Sequence, residues 1–386
     1  MRGVPTAGYA LVLAWFAGCT GLAHAQQTRI NGHLAAPDER LLTEAYFPEG
    51  FHLAPPQAPK PLARREATAA EAAFIEKARI TFDSTSLKAI ALIEGGELVW
   101  LASKEPVTPQ TRLSGYSLGK TLTSMTAGVA LCEGRLARST KVEELVPELK
   151  GTGYEGVNVE HLLTMSSGIR DGSYHAAGTP QARKKIMQIY AQKAQWRDML
   201  PLVNQRTTGV FGKVVAPGET FEYKEIDVLV LGLMIQAAVQ QPLSEYMAGT
   251  VLKEAGVASP VALRQDRSGT TYAPTVARMT MEDWVRFAIW VRQLEAGTGC
   301  MADYVKAATQ TRISNHSPAT ARVHRGYGYL VWTDTPRHHD SYWAWGFGGQ
   351  RIAWNHANTR TMVVFSSLEN NTDEVLALYR EWAGLR

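Results

Sequence analysis

Apolar and polar positions repeat with two different periods along this chain, strand-like near both ends and helix-like between them. Thr68 to Arg79 (TAAEAAFIEKAR) reads as a helix. Short apolar runs then span Ala89–Ile93 and Leu98–Ala102, and the Glu94-Gly95-Gly96-Glu97 between them predicts a β-hairpin. Ser117 begins SLGKTLTSMTAGVALCEG, apolar at helical spacing and stopped by Gly134. From about Lys120 to Ala277 the pattern is mostly helix and loop. It includes a short helix over Asn158–Met165 and a strongly apolar one over Ile226–Val239, followed by a third over Met281–Leu294. Strand patterns return after Gly326 in GYGYLVW, YWAWGFGGQRIAW and TMVVFSS, before a last helix from Asp373 to Trp382. This order predicts an α/β (α+β) fold. One antiparallel sheet is built from both chain ends and flanked by helices, with a mostly helical lobe of about residues 121–277 inserted between its strands.

The 386 residues, 45% hydrophobic and 20% charged, suffice for a large core. The net charge of +4 comes from 40 basic and 36 acidic residues with no basic block, which argues against nucleic acid as a partner. Residues 1–25 read as a signal peptide: Arg2, an apolar run from Tyr9 to Ala17 too short to span a bilayer, and Ala23-His24-Ala25 as cleavage site. The expectation is an exported protein, periplasmic or secreted. A second reading takes Phe16-Ala17-Gly18-Cys19 as a lipoprotein box with a lipid anchor at Cys19, although Phe16 is unusual at its first position. Residues 26–67, rich in Pro and Ala (APPQAPKPLARR), read as an extended arm, and 68–386 as the folded domain.

After cleavage only Cys132 and Cys300 remain. Two cysteines in an exported protein can pair, but spacing does not reveal proximity, and in its apolar helical stretch Cys132 reads by default as a buried, inert thiol. No Cys/His cluster has metal-ligand spacing and there is no H-E-x-x-H, so neither metal nor organic cofactor is expected.

The candidate chemistry centres on Ser117-Leu118-Gly119-Lys120, an S-x-x-K. At a helix start, positions i and i+3 share a face, so Lys120 can reach the Ser117 hydroxyl. A serine hydroxyl needs a neighbouring base, and a lysine serves if burial or adjacent positive charge lowers its pKa. The helix start also favours negative charge developing on an attacked carbonyl. The plainer reading is an exposed helix cap. Ser117 also completes G-x-S-x-G (Gly115 to Gly119), the nucleophile elbow of α/β-hydrolases, which requires a buried strand immediately before it. Val107 to Leu113 (VTPQTRL) is polar and carries a proline, which argues against the elbow.

With VNVEHLLTMSSGIRDG, APGETFEYKEIDVLVLG and GYGYLVW following in order, the chain from about residue 70 to 386 resembles the serine beta-lactamase and penicillin-binding protein superfamily. It resembles most the branch of class C beta-lactamases, family VIII-type carboxylesterases and aminohexanoate-dimer hydrolases. The resemblance implies Ser117 as nucleophile, Lys120 as its proton acceptor and Tyr223 as the shuttle of a proton to the leaving group. It implies an oxyanion hole from the Ser117 and Phe347 amides, with Trp345, Gly346 and Phe347 bordering the substrate. Two departures stand out. Where the nearest class carries Tyr-x-Asn, Tyr223 is followed by Lys224-Glu225. Where it carries Lys/His-Thr-Gly, this chain has Ala344-Trp345-Gly346 or the glycines that follow, Gly348 and Gly349, and no visible cation to meet a substrate carboxylate. Both favour a small ester or amide substrate. A beta-lactam or cell-wall-like substrate is the alternative, and a binding or sensor protein on the same scaffold the third reading. Trp332, Tyr342, Trp343 and Trp345 read either as an aromatic cleft or as strand residues packed on helices. Substrate choice would rest on loops such as Asp171 to Trp196.

Overall fold

The computed structural model describes residues 51–54, 59–170, 180–190, 193–202, 204–208, 212–275, 277–318, 320–338 and 340–385. The segment read as a signal peptide, Cys19, most of the segment read as an arm and the start of the Asp171–Trp196 segment lie outside them. The strands are β1 (Phe51–Ala54), β2 (Leu87–Glu94), β3 (Glu97–Ser103), β4 (Leu113–Ser114), β5 (Val261–Arg264) and β6 (Ala277–Met279). They continue as β7 (Ile313–Ser314), β8 (Gly326–Tyr327), β9 (Trp332–Thr333), β10 (Ser341–Gly346), β11 (Gln350–Asn355) and β12 (Thr361–Ser366). The helices are α1 (Ala69–Ser84), α2 (Leu118–Cys132), α3 (Val142–Leu145), α4 (Val159–Leu163), α5 (Pro180–Tyr190) and α6 (Glu225–Val239). After them come α7 (Leu243–Met247), α8 (Lys253–Ala255), α9 (Met281–Ala296), α10 (Cys300–Ala308) and α11 (Thr372–Gly384).

An eight-stranded antiparallel sheet runs β3-β2-β12-β11-β10-β9-β8-β7, so the N-terminal hairpin joins the C-terminal meander through β2 and β12. The hairpin turns at Gly95 and Gly96, both at positive φ, the conformation its tight turn needs. Every residue of β11 and β12 is buried, which requires helices on both sheet faces. α1 and α11 meet through Phe74 and Trp382, and Trp382 donates from its indole to the Thr361 carbonyl. α9 sets Trp284 against Phe365 of β12, while Trp354 of β11 donates to the Ala288 carbonyl. Thr68 and Glu71 close a capping box at the start of α1.

The structure departs from the pattern reading in three places. GYGYLVW is two two-residue strands, β8 and β9, around a turn in which Leu330 takes φ 56°, rather than one continuous strand. A second sheet, β1-β5-β6-β4, draws on the arm and on the segment read as helix and loop. Its strands span only two to four residues, too short for an alternating pattern to register. And Cys132 is no free thiol: it is bonded to Cys300, joining the end of α2 to the start of α10 across 168 residues of sequence.

Candidate active site

Ser117 follows β4, held in the small sheet by pairing of Leu113 with Met279 and Ser114 with Arg278. The chain then turns sharply. Gly115 donates its amide to the Ala277 carbonyl, and Tyr116 takes φ 47°, a strained conformation for a residue with a side chain. α2 starts directly afterwards, with Ser117 as its N-cap residue. The Ser117 hydroxyl makes no capping bond, so it is not the exposed helix cap of the plainer reading. A short strand does precede the serine, but it is an outer strand of the small sheet and not the central strand an elbow needs.

Lys120, 1% exposed, lies one turn along. Its Nζ donates to Ser117 Oγ at 2.8 Å, to the Pro274 carbonyl at 3.2 Å and to Glu225 Oε1 at 3.4 Å. Thr123 ties α2 to the same turn through the Ala273 carbonyl at 2.8 Å, so the helix and its lysine are anchored together. Tyr223 enters from the segment before α6, with its ring centroid 5.0 Å from the Lys120 nitrogen. That ring is stacked on Trp332 at 5.2 Å and 15° and meets Tyr327 edge-on. The structure therefore brings Ser117, Lys120 and Tyr223 together.

The electrostatics reverse one expectation. Burial favours the neutral form of Lys120, but the Tyr223 oxygen and the Glu225 carboxylate outweigh it, and Lys120 is held above the ordinary lysine value. Glu225 is the residue the sequence reading passed over. It opens α6, is 7% exposed, and its other oxygen accepts the Tyr272 hydroxyl. Only the departure from Tyr-x-Asn signalled it.

β10 closes the other side. A Cβ on Gly346 would stand 2.3 Å from the Gly115 carbonyl, and one on Gly115 would stand 2.4 Å from the Trp284 ring. Two glycines thus let β10 meet the turn backbone to backbone and let the Trp284 side chain of α9 lie against the turn beside Ser117. The Phe347 ring meets Tyr116 edge-on at 5.6 Å. Trp345 is half-buried: its indole donates to Glu369, its edge meets His324, and its face lies 3.8 Å from the guanidinium of the fully buried Arg351. Arg351 in turn donates to the Gly349 carbonyl and to Thr372. Tyr342 and Trp343 are fully buried, and Tyr342 stacks on Trp354 and donates to Glu295, so these two are core residues. Trp332 instead backs Tyr223.

Residues 87–385 match the family model "Beta-lactamase". Over 155 residues the chain is 25% identical to a beta-lactamase of Pseudomonas fluorescens, covering 40% of this chain and 38% of that one. Over 152 residues it is 27% identical to one of Providencia stuartii, covering 39% and 34%. The chain thus matches well under half the length of these relatives. Among solved structures, a Bacillus anthracis protein assigned as a 6-aminohexanoate-dimer hydrolase has a TM-score of 0.68 at 14% identity, covering 86% of this chain and 89% of that one. EstCE1, a hydrolase with promiscuous acyltransferase activity, gives 0.61 at 14%, covering 81% and 98%. At such identities these structures speak for the fold. Together with a model match over most of the sequence, they place the chain in the beta-lactamase family.

Proposed function

We propose that this is an exported serine hydrolase that cleaves a small ester or amide through an acyl-enzyme on Ser117. The observation that carries the reading is the 2.8 Å contact between Lys120 Nζ and Ser117 Oγ at the start of a buried helix. In this mechanism Ser117 Oγ attacks the substrate carbonyl carbon while its proton passes to the Lys120 amine. The carbonyl oxygen, now negative, faces the Ser117 and Phe347 amides. Collapse breaks the bond to the leaving group, which takes a proton from Tyr223, and Tyr223 is reprotonated from Lys120. Water then attacks the acyl carbonyl by the same relay, releasing the acid and restoring Ser117. With Ala344-Trp345-Gly346 at the edge of the site and Arg351 sealed beneath Trp345, the surroundings favour substrates without a carboxylate at that end. The disulfide fits an oxidising compartment.

Stopped-flow hydrolysis of p-nitrophenyl butyrate, with intact-mass analysis, tests this. Wild type should give a p-nitrophenol burst and an acyl adduct on Ser117, and Ser117→Ala neither. Absence of Ser117-dependent acylation and of turnover would overturn the hydrolase reading in favour of a binding protein. Covalent labelling by a fluorescent penicillin without ester turnover would favour a cell-wall-like substrate.

A further inference from the structure

We propose that Glu225 is a positioning residue for the Ser117–Lys120 pair: it aims the amine at Ser117 and fixes its charge, and Tyr272 holds the acid in place. The consequence for turnover rests on the serine-hydrolase reading above, whereas the effect on Lys120 stands independently of it. The Lys120 nitrogen donates to three acceptors, Ser117 Oγ, the Pro274 carbonyl and Glu225, with the Tyr223 oxygen also beside it. With the Pro274 carbonyl and Glu225 occupying two of its directions, the third points at Ser117. An ammonium donates along it, and a neutral amine offers its lone pair there.

Glu225 is itself fixed. Its second oxygen accepts the Tyr272 hydroxyl, and the Tyr272 ring lies flat against Trp196 at 3.7 Å and 13°. The titratable groups facing the pair come from several elements. They are Lys120 of α2, Tyr223 before α6 and Tyr272 between β5 and β6, with Arg264 of β5 behind Tyr272 at 5.5 Å and Tyr327 behind Tyr223. Lys224 points elsewhere, to the Ile169 carbonyl at 2.5 Å and Glu222 at 3.1 Å, and Asp227 of α6 accepts from Ser167 and Tyr154. Glu225 is thus the carboxylate that meets the lysine. An asparagine at this position could accept the same bond but would bring no charge. Burial opposes the charge, but the Tyr223 oxygen and the acid together favour the ammonium. The amine that receives the Ser117 proton therefore becomes available only as pH rises through a raised Lys120 ionisation, of which Glu225 supplies one part.

The test is NMR titration of protein carrying [ε-13C]lysine, with the Lys120 signal assigned by its loss in Lys120→Arg. In Glu225→Gln the Lys120 transition should move to lower pH by about one unit or more, as expected on removing one opposite charge in contact. Glu225→Asp, which keeps the charge, should lie closer to wild type. Coincident Lys120 titrations in wild type and Glu225→Gln would overturn the proposal. The rising limb of the burst rate against pH should move with the NMR transition, and a rate lowered equally at all pH values would show a merely structural loss and overturn the link to catalysis. A wild type without a Ser117 burst would sink the hydrolase reading and leave the NMR result to decide this one.

Discussion

Tyr223 owes its place to packing, and that separates its two possible contributions. Its ring is clamped by Trp332 and Tyr327 whether or not a hydroxyl is present, so Tyr223→Phe should keep the ring in position and remove only the proton-carrying oxygen. For a general acid–base group the expected loss in kcat is about 10²- to 10³-fold with KM nearly unchanged, measured with alkyl esters. A leaving group that needs no proton, such as p-nitrophenol, should suffer less than an alkyl alcohol. Equal losses for the two would remove Tyr223 from the leaving-group step. At this scale the sequence was legible where partners are close in sequence. Ser117 and Lys120 are three residues apart, and helix geometry alone joins them. Glu225 lies 105 residues from Lys120, and its motif only indicated what it was not. Its contact with the lysine, and hence the reversed direction of the Lys120 shift, exists only once α2 and α6 are packed.

At the scale of elements, long periodic segments declared themselves: α1, α2, α6, α9, α11 and the β2–β3 hairpin all lie where their patterns put them. The small sheet did not, because its strands are too short to show a period, yet it is the element that delivers Ser117. Its junction with the large sheet depends on Gly115 and Gly346. Gly346→Ala would drive a methyl into the Gly115 carbonyl, a backbone atom that cannot swing aside, with the Gln350 Cβ a further 3.0 Å contact. β10 must then move away from the turn that carries Ser117, and with it the Phe347 amide. A displacement of about 1 Å at a catalytic contact costs on the order of 10²-fold in rate, so Gly346→Ala should lose about that much kcat while its circular dichroism and melting stay close to wild type. Wild-type kcat in this variant would mean that the glycine is not what sets the spacing.

At the scale of the whole molecule, the two chain ends close one sheet and the intervening chain is held against it from the far side of α2. The sequence showed the first through its terminal strand patterns, but not the second, because cysteine spacing carries no distance. α10 lies tightly on α2: a Cβ on Gly128 would stand 2.5 Å from the Tyr304 ring, and the Tyr304 hydroxyl donates to the Ser124 carbonyl at 2.8 Å. The Cys132–Cys300 bond locks that contact at the end of α2 opposite Ser117, about 22 Å from it at the rise of an α-helix. Closing a loop of 168 residues in the unfolded chain corresponds to about 5 kcal/mol in the chain-entropy view. The bond should therefore govern stability and leave the chemistry alone. Cys132→Ser with Cys300→Ser should unfold at clearly lower urea concentration than wild type, and reductant should lower the wild-type midpoint toward that of the double variant. Below its unfolding range the double variant should keep kcat within about twofold, since a distant site without shared partners contributes independently. A large loss of kcat in the folded double variant would instead mean that the pitch of α2, and so the aim of Lys120, is set from its far end.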